Sequence, residues 1–248
     1  VSILRRCSAF EHDCEHVKSR LSCFFGKLRS KRGREALISL YELPNAIETD
    51  VSRILKGLQA TDVHKIDEPD YKLRLETYSG LTSDWFTSTE ASSIYPIMYQ
   101  CIFELRCGDF LLCKAARNTI FQLATALRKL SLQSASKYES PLYKILVDTV
   151  NPSLPALLEH NFAAVRAEGI AVLSGLIEII PDMYGGFSDL VCCSRLDSNF
   201  FTNISHIQIR RQCEALRELT RFLQERSCSS LSMSSYVLPM LKGFLLSE

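Results

Sequence analysis

The sequence predicts an all-α chain, folded as an α-solenoid of HEAT/armadillo-like helical repeats. Apolar residues recur at helical spacing along almost the whole chain, with no strand alternation competing seriously. Prolines and capping residues cut that pattern into segments of helix length. Three segments also share a frame of an apolar residue, a cation, small residues and then Leu or Ile. They are Leu112-Cys113-Lys114-Ala115-Ala116, Val165-Arg166-Ala167-Glu168-Gly169 and Ile209-Arg210-Arg211-Gln212-Cys213. The cations Lys114, Arg166 and Arg211 stand 52 and 45 residues apart, close to the ~40–47-residue period of HEAT and armadillo arrays. Small residues let paired helices approach, and the cation is expected to bond a loop or an Asp of a neighbouring repeat.

Each element follows from its residues. Val17, Leu21, Phe24 and Leu28 fall on one face of a first helix, and Ala36, Leu37, Leu40 and Tyr41 make the next stripe, stopped by Pro44. Asp50 is placed to cap a third helix carrying Val51, Ile54, Leu55 and Leu58. An acidic connection, VHKIDEPDYKLRLETYSG, follows, with a short helix expected from about Asp70 to Tyr78. LTSDWFTSTEASS reads as a polar loop whose Ser/Thr density suits a mobile segment or a helix start. Beyond Glu90 the helices lengthen. ASSIYPIMYQCIFELR is apolar nearly all round, the mark of a buried helix. Its Pro96 falls near the start, where a first-turn proline is tolerated.

Asp109 is placed to cap FLLCKAARNTIFQLATALRKL. Pro141 opens LYKILVDTV, which Pro152 and Pro155 are expected to break before ALLEHN. FAAVRAEGIAVLSGLIEII ends at Pro181, and residues 183–198 make a loop-rich connection. HIQIRRQCEALRELTRFLQER is the last long helix, and YVLPMLKGFLL a short one after it. The expected organisation is a set of N-terminal helices over residues 1–82, with a basic run and the acidic connection, and HEAT-like repeats over 83–248. Both would belong to one continuous solenoid. VSILRRCSAF lacks an initiator Met and a signal-type apolar stretch, so the chain is expected to be an excerpt of a much longer one.

Composition narrows the partners. Lys and Arg total 29 against 28 Asp and Glu, a net charge of +1, so any nucleic acid must be met by a local patch. No apolar run approaches the ~20 residues needed to cross a bilayer, and no membrane partner is expected. Ten cysteines are scattered, often inside helical patterns, and without a secretory signal they read as reduced and intracellular. The sequon Asn203-Ile204-Ser205 is then without consequence.

Cys7, His12, Cys14 and His16 make the strongest metal-like cluster, but no second pair at zinc spacing follows, so no metal or other cofactor is expected. GKLRSKRGRE carries Lys27, Arg29, Lys31, Arg32 and Arg34. Such a run could touch phosphates, act as a nuclear-import signal, or be a solvated turn. Glycine-rich phosphate loops, G-x-S-x-G elbows and H-E-x-x-H motifs are missing. The acidic residues Asp67, Glu68 and Asp70 read as a turn, so no enzyme and no small-molecule substrate is expected.

One stretch is more specific. Phe200-Phe201, Asn203-Ile204, His206-Ile207-Gln208, Arg211 and Ala215-Leu216-Arg217 resemble a block of the U-three protein twenty family, also called "down-regulated in metastasis". KLRSKRGREALISLYEL and IDEPDYKLRLETY are similar to two further segments of that family, in the same order, so the resemblance spans most of the chain. Arg210, Gln212, Glu214 and Glu218 depart from the block, leaving five Arg against three Glu from Phe200 to Arg226.

The resemblance implies a giant HEAT-repeat scaffold of the small-subunit processome. It would be non-catalytic, sited in the nucleus and nucleolus, and needed to process precursor ribosomal RNA toward the small-subunit RNA. Other processome proteins, and precursor ribosomal RNA or small nucleolar RNA, would be its partners. Lys27, Arg29, Lys31, Arg32, Arg34, Arg210, Arg211 and Arg217 are the candidates for RNA or partner contact. Phe200, Phe201, Ile204 and Ile207 are expected to be buried at the turn into the long helix. Asn203, His206, Gln208 and Arg166 complete the structural motif, with His206 and Gln208 satisfying backbone groups. The competing reading is a HEAT-repeat adaptor in transport or signalling that binds only protein.

Overall fold

A computed structural model describes residues 17–18, 20–42, 49–62, 64–65, 68–133, 140–184, 187–191, 199–225 and 233–245. Among them the regular structure is helical, apart from a single bridge between Thr61 and Pro69. The architecture is the all-α helical-repeat class. Its helices are α1 (Lys31–Ile38), α2 (Asp50–Leu58), α3 (Tyr71–Gly80), α4 (Ser83–Ser88), α5 (Ala91–Cys107) and α6 (Phe110–Gln133). They continue as α7 (Pro141–Ile145), α8 (Asn151–Leu158), α9 (Ala163–Ile179), α10 (Ser188–Val191), α11 (Phe200–Ile204), α12 (Ile209–Glu225) and α13 (Leu238–Leu245). The packing forms two compact units, one of Val1–Leu130 with Ser136–Val150, the other of Ser131–Ala135 with Asn151–Glu248.

Unit one is built round α5. Ile94, Ile97, Met98, Cys101 and Leu105 are fully buried on it, as its apolar composition predicts. It packs on the tight turn Cys23–Gly26, on α2, on α7 and on the π-turn Leu146–Val150. At the first of these contacts the inside residue is Phe25, fully buried, and Phe24 is 42% exposed. The backbone there winds as a 3₁₀ turn, whose tighter period rotates the face by one residue from that of the expected α-helical stripe. Thr49, rather than Asp50, caps α2, in a reciprocal capping box with Ser52. Asp70 caps α3, accepting from the Leu73 amide at 3.0 Å. LTSDWF is helical, because Thr82 caps α4 and Phe86 goes into the core. Asp109 accepts from the Leu112 amide at 3.0 Å at the start of α6, after Gly108 turns the chain at φ +75°.

Two proline expectations change. Pro96 lies in the second turn of α5. Pro152 and Pro155 lie within helix and do not break it. The π-turn Leu146–Val150 comes just ahead of Pro152, and its wider winding makes room for a ring that an α-turn would clash with.

Unit two pairs α8 with α9 and α11 with α12, and α13 packs on α8 and α9. Two glycines set how close they come. A Cβ on Gly169 would lie 2.9 Å from the Leu157 Cβ, and one on Gly243 would overlap the Leu158 carbonyl oxygen and reach 2.7 Å from Arg166 Cδ. Around Tyr236 the rings of Tyr184 and Phe187 lie edge-on at 5.8 and 6.3 Å, and Phe187 stacks on Phe222 at 6.1 Å. Gly243→Ala therefore lowers unfolding stability by about 1–3 kcal/mol through overpacking. Gly80→Ala, where a Cβ meets nothing within 4 Å, raises it by roughly 0.4–1 kcal/mol. Urea unfolding of both variants checks the two opposite signs.

Candidate RNA and partner interface

The basic run belongs to α1 and the turn before it. Ser30 caps α1, and the helix then points successive cations in different directions. Lys27, Arg29, Lys31 and Arg32 are exposed. Arg34 departs from its expected place among the contact residues, because it is 7% exposed and each of its three guanidinium nitrogens makes a hydrogen bond. Its Nε donates to the Leu28 carbonyl at 2.6 Å, Nη2 to the Phe25 carbonyl at 3.2 Å and Nη1 to Gln100 Oε1 at 2.6 Å. The guanidinium lies 3.7 Å from the Phe103 ring centroid. These contacts with Gln100 and Phe103 lay the side chain against α5.

From Arg34 the polar chain continues. Gln100 Nε2 donates to Glu104 Oε1 at 2.7 Å, and Arg74 Nη1 meets the same oxygen at 3.3 Å. Arg74 Nε donates to the Ala60 carbonyl at 2.7 Å, just beyond the end of α2. Burial raises the Glu104 carboxyl above its usual range, and the nearby Arg74 and Arg34 and the Gln100 bond only partly offset this. Burial likewise pulls the Arg34 guanidinium below its ordinary value, against Glu104.

Arg34, Arg74, Phe103 and Glu104 floor a cleft of about 590 Å³, and the fully buried Gln100 links them without lining it. Arg29, Lys31 and Lys56 stand round its mouth with Glu35, Gln59 and Thr61. Lys31 Nζ donates to Thr61 Oγ1 at 3.2 Å, and Lys56 pairs with Glu42 at 2.7 Å. Lys27 and Arg32 do not line the cleft. Lys56, Gln59 and Arg74 have no signal in the linear basic run, because α2 and α3 bring them in from further along the chain.

In unit two, Asn199 caps α11 by accepting from the Phe201 and Thr202 amides at 2.9 and 3.2 Å. Phe200, Phe201, Asn203 and Ile204 are buried, with the two rings edge-on at 5.0 Å. Ile207 is 92% exposed, against expectation. The chain leaves α11 at Ser205 and α12 begins only at Ile209, so Ile207 sits at the tip of the turn. Arg210 is exposed and pairs with Glu214 at 3.1 Å, Arg217 is exposed, and Arg211 is half-buried.

The turn has a twin. His206 Nδ1 accepts from the Gln208 amide at 3.0 Å, and Gln212 Nε2 donates to the His206 carbonyl at 2.8 Å. Between α8 and α9, His160 Nδ1 accepts from the Phe162 amide at 3.2 Å, and Arg166 Nη1 donates to the His160 carbonyl at 2.8 Å and to that of Asn161 at 3.0 Å. Each partner lies 46 residues from its counterpart. The structural equivalent of Arg166 is thus Gln212, one position beyond Arg211, and the carbonyls it serves belong to the turn leading into its own helix. His206 does satisfy a backbone group. Gln208 contributes its amide, and its side chain is exposed. The matched histidines are the signal that would have fixed this register. Phe162 and Ile209 beside these turns are 70% and 74% exposed.

Glu68 pairs with Lys65 at 2.9 Å and Asp70 caps α3, so both have structural partners. Asp67 and the cluster Cys7, His12, Cys14 and His16 lie outside the described residues. Among the described residues no group of three or more His, Cys, Asp or Glu could hold a metal ion, and no helix is long and apolar enough to cross a membrane. Cys23, Cys101, Cys107 and Cys213 are free thiols, and the Cys113 thiol donates to the Glu104 carbonyl at 3.2 Å.

Two expectations follow. The folded Glu104 binds its proton more tightly than the unfolded one, so it contributes stability below its ordinary value of 4.5 that is lost as pH rises through the raised value. Glu104→Gln removes that loss, and urea unfolding of both proteins from about pH 4 upward shows the variant's flatter profile. Arg166→Met and Gln212→Met each keep the packing stem and drop the donor, costing about 1 kcal/mol apiece. Each serves its own turn, and the denaturant midpoints of the two single variants check the two costs.

The chain matches the family described as U3 small nucleolar RNA-associated protein 20, N-terminal, over residues 2–162. It is similar to the U3 small nucleolar RNA-associated protein 20 of Saccharomyces cerevisiae, 24% identical over 244 residues, which cover 95% of this chain and 10% of that protein. The Schizosaccharomyces pombe protein of the same name is 21% identical over 220 residues, covering 87% of this chain and 9% of that protein. The chain thus spans about a tenth of the length of these relatives. With most of its length matched, the chain belongs to the U3 small nucleolar RNA-associated protein 20 family.

Proposed function

We propose that this chain is part of a non-catalytic scaffold in ribosome biogenesis. It works in the small-subunit processome, in the nucleolus, where precursor ribosomal RNA is processed toward the small-subunit RNA. The observation that carries this reading is the family match over residues 2–162, with similarity to the yeast proteins extending over 95% of the chain. Their name ties those relatives to U3 small nucleolar RNA, and we extend an RNA-containing assembly to this chain.

The physical features suit a scaffold. Paired helices joined by capped turns present many side chains to solvent, and repeat arrays use such surfaces to hold several partners. Structured RNA is recognised mainly through shape, phosphates and 2′-hydroxyls, so a scaffold needs placed cations more than a base-reading motif. Arg29, Lys31, Arg32 and Lys27 in unit one, and Arg210, Arg211 and Arg217 in unit two, supply them. The exposed Phe162, Ile207 and Ile209 would serve protein neighbours in the same assembly.

Depletion of the full-length protein in cells, followed by measurement of ribosomal RNA precursors, tests the reading. Small-subunit precursors accumulate and large-subunit precursors are spared. Normal levels of both would overturn it and favour an adaptor that binds only protein.

A further inference from the structure

The cleft between α1, α2, α3 and α5 carries more positive charge than it neutralises. At its floor Arg34 and Arg74 share one carboxylate, that of Glu104, through Gln100 and a 3.3 Å contact. These groups are largely withdrawn from water. The Arg34 residue is 7% exposed, and the Arg74 and Glu104 side chains are 13% and 3% exposed. A surplus cation in a desolvated site is poorly screened, and its attraction for an anion is correspondingly strong. Arg29 and Lys31 at the mouth extend the same field outward. Arg29 makes no hydrogen bond or ion pair with the described residues, and Lys31 bonds only the neutral Thr61 hydroxyl. Lys56 adds a third cation, already paired with Glu42.

The remaining lining groups narrow the anion. Gln59 and Thr61 bring neutral hydrogen-bonding groups, and the exposed Glu35 brings an acceptor beside the cations. A carboxylate repels a phosphate that approaches directly, but it accepts from a sugar hydroxyl. A ligand carrying phosphates and hydroxyls in alternation fits this mixture, and a phosphoserine side chain uses only half of it. The volume of about 590 Å³ is that of a small-ligand site, too small for the flank of a duplex. It has room for a turn of single-stranded backbone.

We propose that this cleft binds the sugar-phosphate backbone of single-stranded RNA, with Arg29 and Lys31 on phosphates above a floor of Arg34, Glu104 and Arg74. The choice of RNA over a phosphorylated protein rests in part on the assembly reading given above. The basic run is thereby divided by function. Arg29 and Lys31 belong to the site, Arg34 positions its floor, and Lys27 and Arg32 stand outside it.

The test measures binding of the full protein to a fluorescent oligouridine RNA by anisotropy over a salt series. Arg29→Glu with Lys31→Glu weakens binding more than tenfold. The neutral pair Arg29→Ala with Lys31→Ala weakens it less and lowers the slope of log K on log salt by about 1.4, two contacts at ~0.7 each. Lys27→Glu with Arg32→Glu, which removes the same charge from the same run, stays within threefold. Thermal unfolding of every variant shows that the fold is kept, since all four positions are exposed. Equal losses from the two charge-reversed pairs would overturn the cleft in favour of diffuse attraction, as would an unchanged affinity in the first. Displacement of the RNA by a phosphorylated peptide at lower concentration than by unlabelled RNA would also overturn it. Loss of RNA binding in the cleft variant, with normal precursors after depletion, leaves the cleft standing and removes the processome. Accumulated precursors with unaffected RNA binding do the reverse.

Discussion

Every helix ends with backbone carbonyls that its own turns cannot satisfy, and this chain meets that constraint with long donor side chains from the next helix. Arg34 serves the carbonyls of Phe25 and Leu28, and Arg74 that of Ala60. Arg166 serves His160 and Asn161, and Gln212 serves His206. In each case the donor reaches back to the turn or loop before its own helix. The bond fixes where that helix begins, and with it which residues meet the preceding one. Leu157 and Leu158 can lie against Gly169 and Gly243 only because the α8–α9 turn is held. The apolar core then completes what these donors have positioned.

This use of arginine explains what was legible in the sequence. The helices could be read, because buried residues such as Ile94, Ile97, Cys101 and Leu105 repeat at helical spacing whatever lies beyond them. The repeat frame was legible to within one residue, since the position that serves the turn takes Arg at 166 and Gln at 212. What matters there is a donor of sufficient reach, and charge is secondary. Choosing Arg211 matched the charge and missed the geometry. Phe24 and Ile207 were misplaced for a similar reason. Each sits where the backbone leaves α-helical winding, and a period of 3.6 residues no longer says which side chain faces in.

The cleft was half legible. Its cations Arg29 and Lys31 stand in an obvious basic run, whereas Lys56, Gln59, Arg74 and Glu104 enter from three other helices. No spacing rule joins residues 31, 61, 74 and 104, because their meeting depends on how α1, α2, α3 and α5 pack. Arg34 shows the opposite failure. Within the run it looks like its neighbours, and only the turn of α1 onto Gln100 and Phe103 withdraws it.

A count of cations is therefore a poor measure of binding capacity in this chain. With 29 basic against 28 acidic residues, the whole molecule exerts almost no net field. The distribution matters more than the sum. Arg210 is turned to its own helix by Glu214, and Lys242 to Glu159 at 2.8 Å, so these exposed charges are locally balanced. In the cleft, the buried Arg34 and the part-buried Arg74 answer to one carboxylate, and Arg29 and Lys31 add to the excess. A local surplus of that kind acts over about one Debye length, ~8 Å in physiological salt, which is the scale of a single backbone contact. The molecule can thus stay near neutrality and still offer a phosphate a defined place. The constraint that produces this is the one that builds the fold. Arg34 and Arg74 lie under the cleft because Phe25, Leu28 and Ala60 have carbonyls to satisfy, and the charge they bring with those hydrogen bonds is left facing the opening.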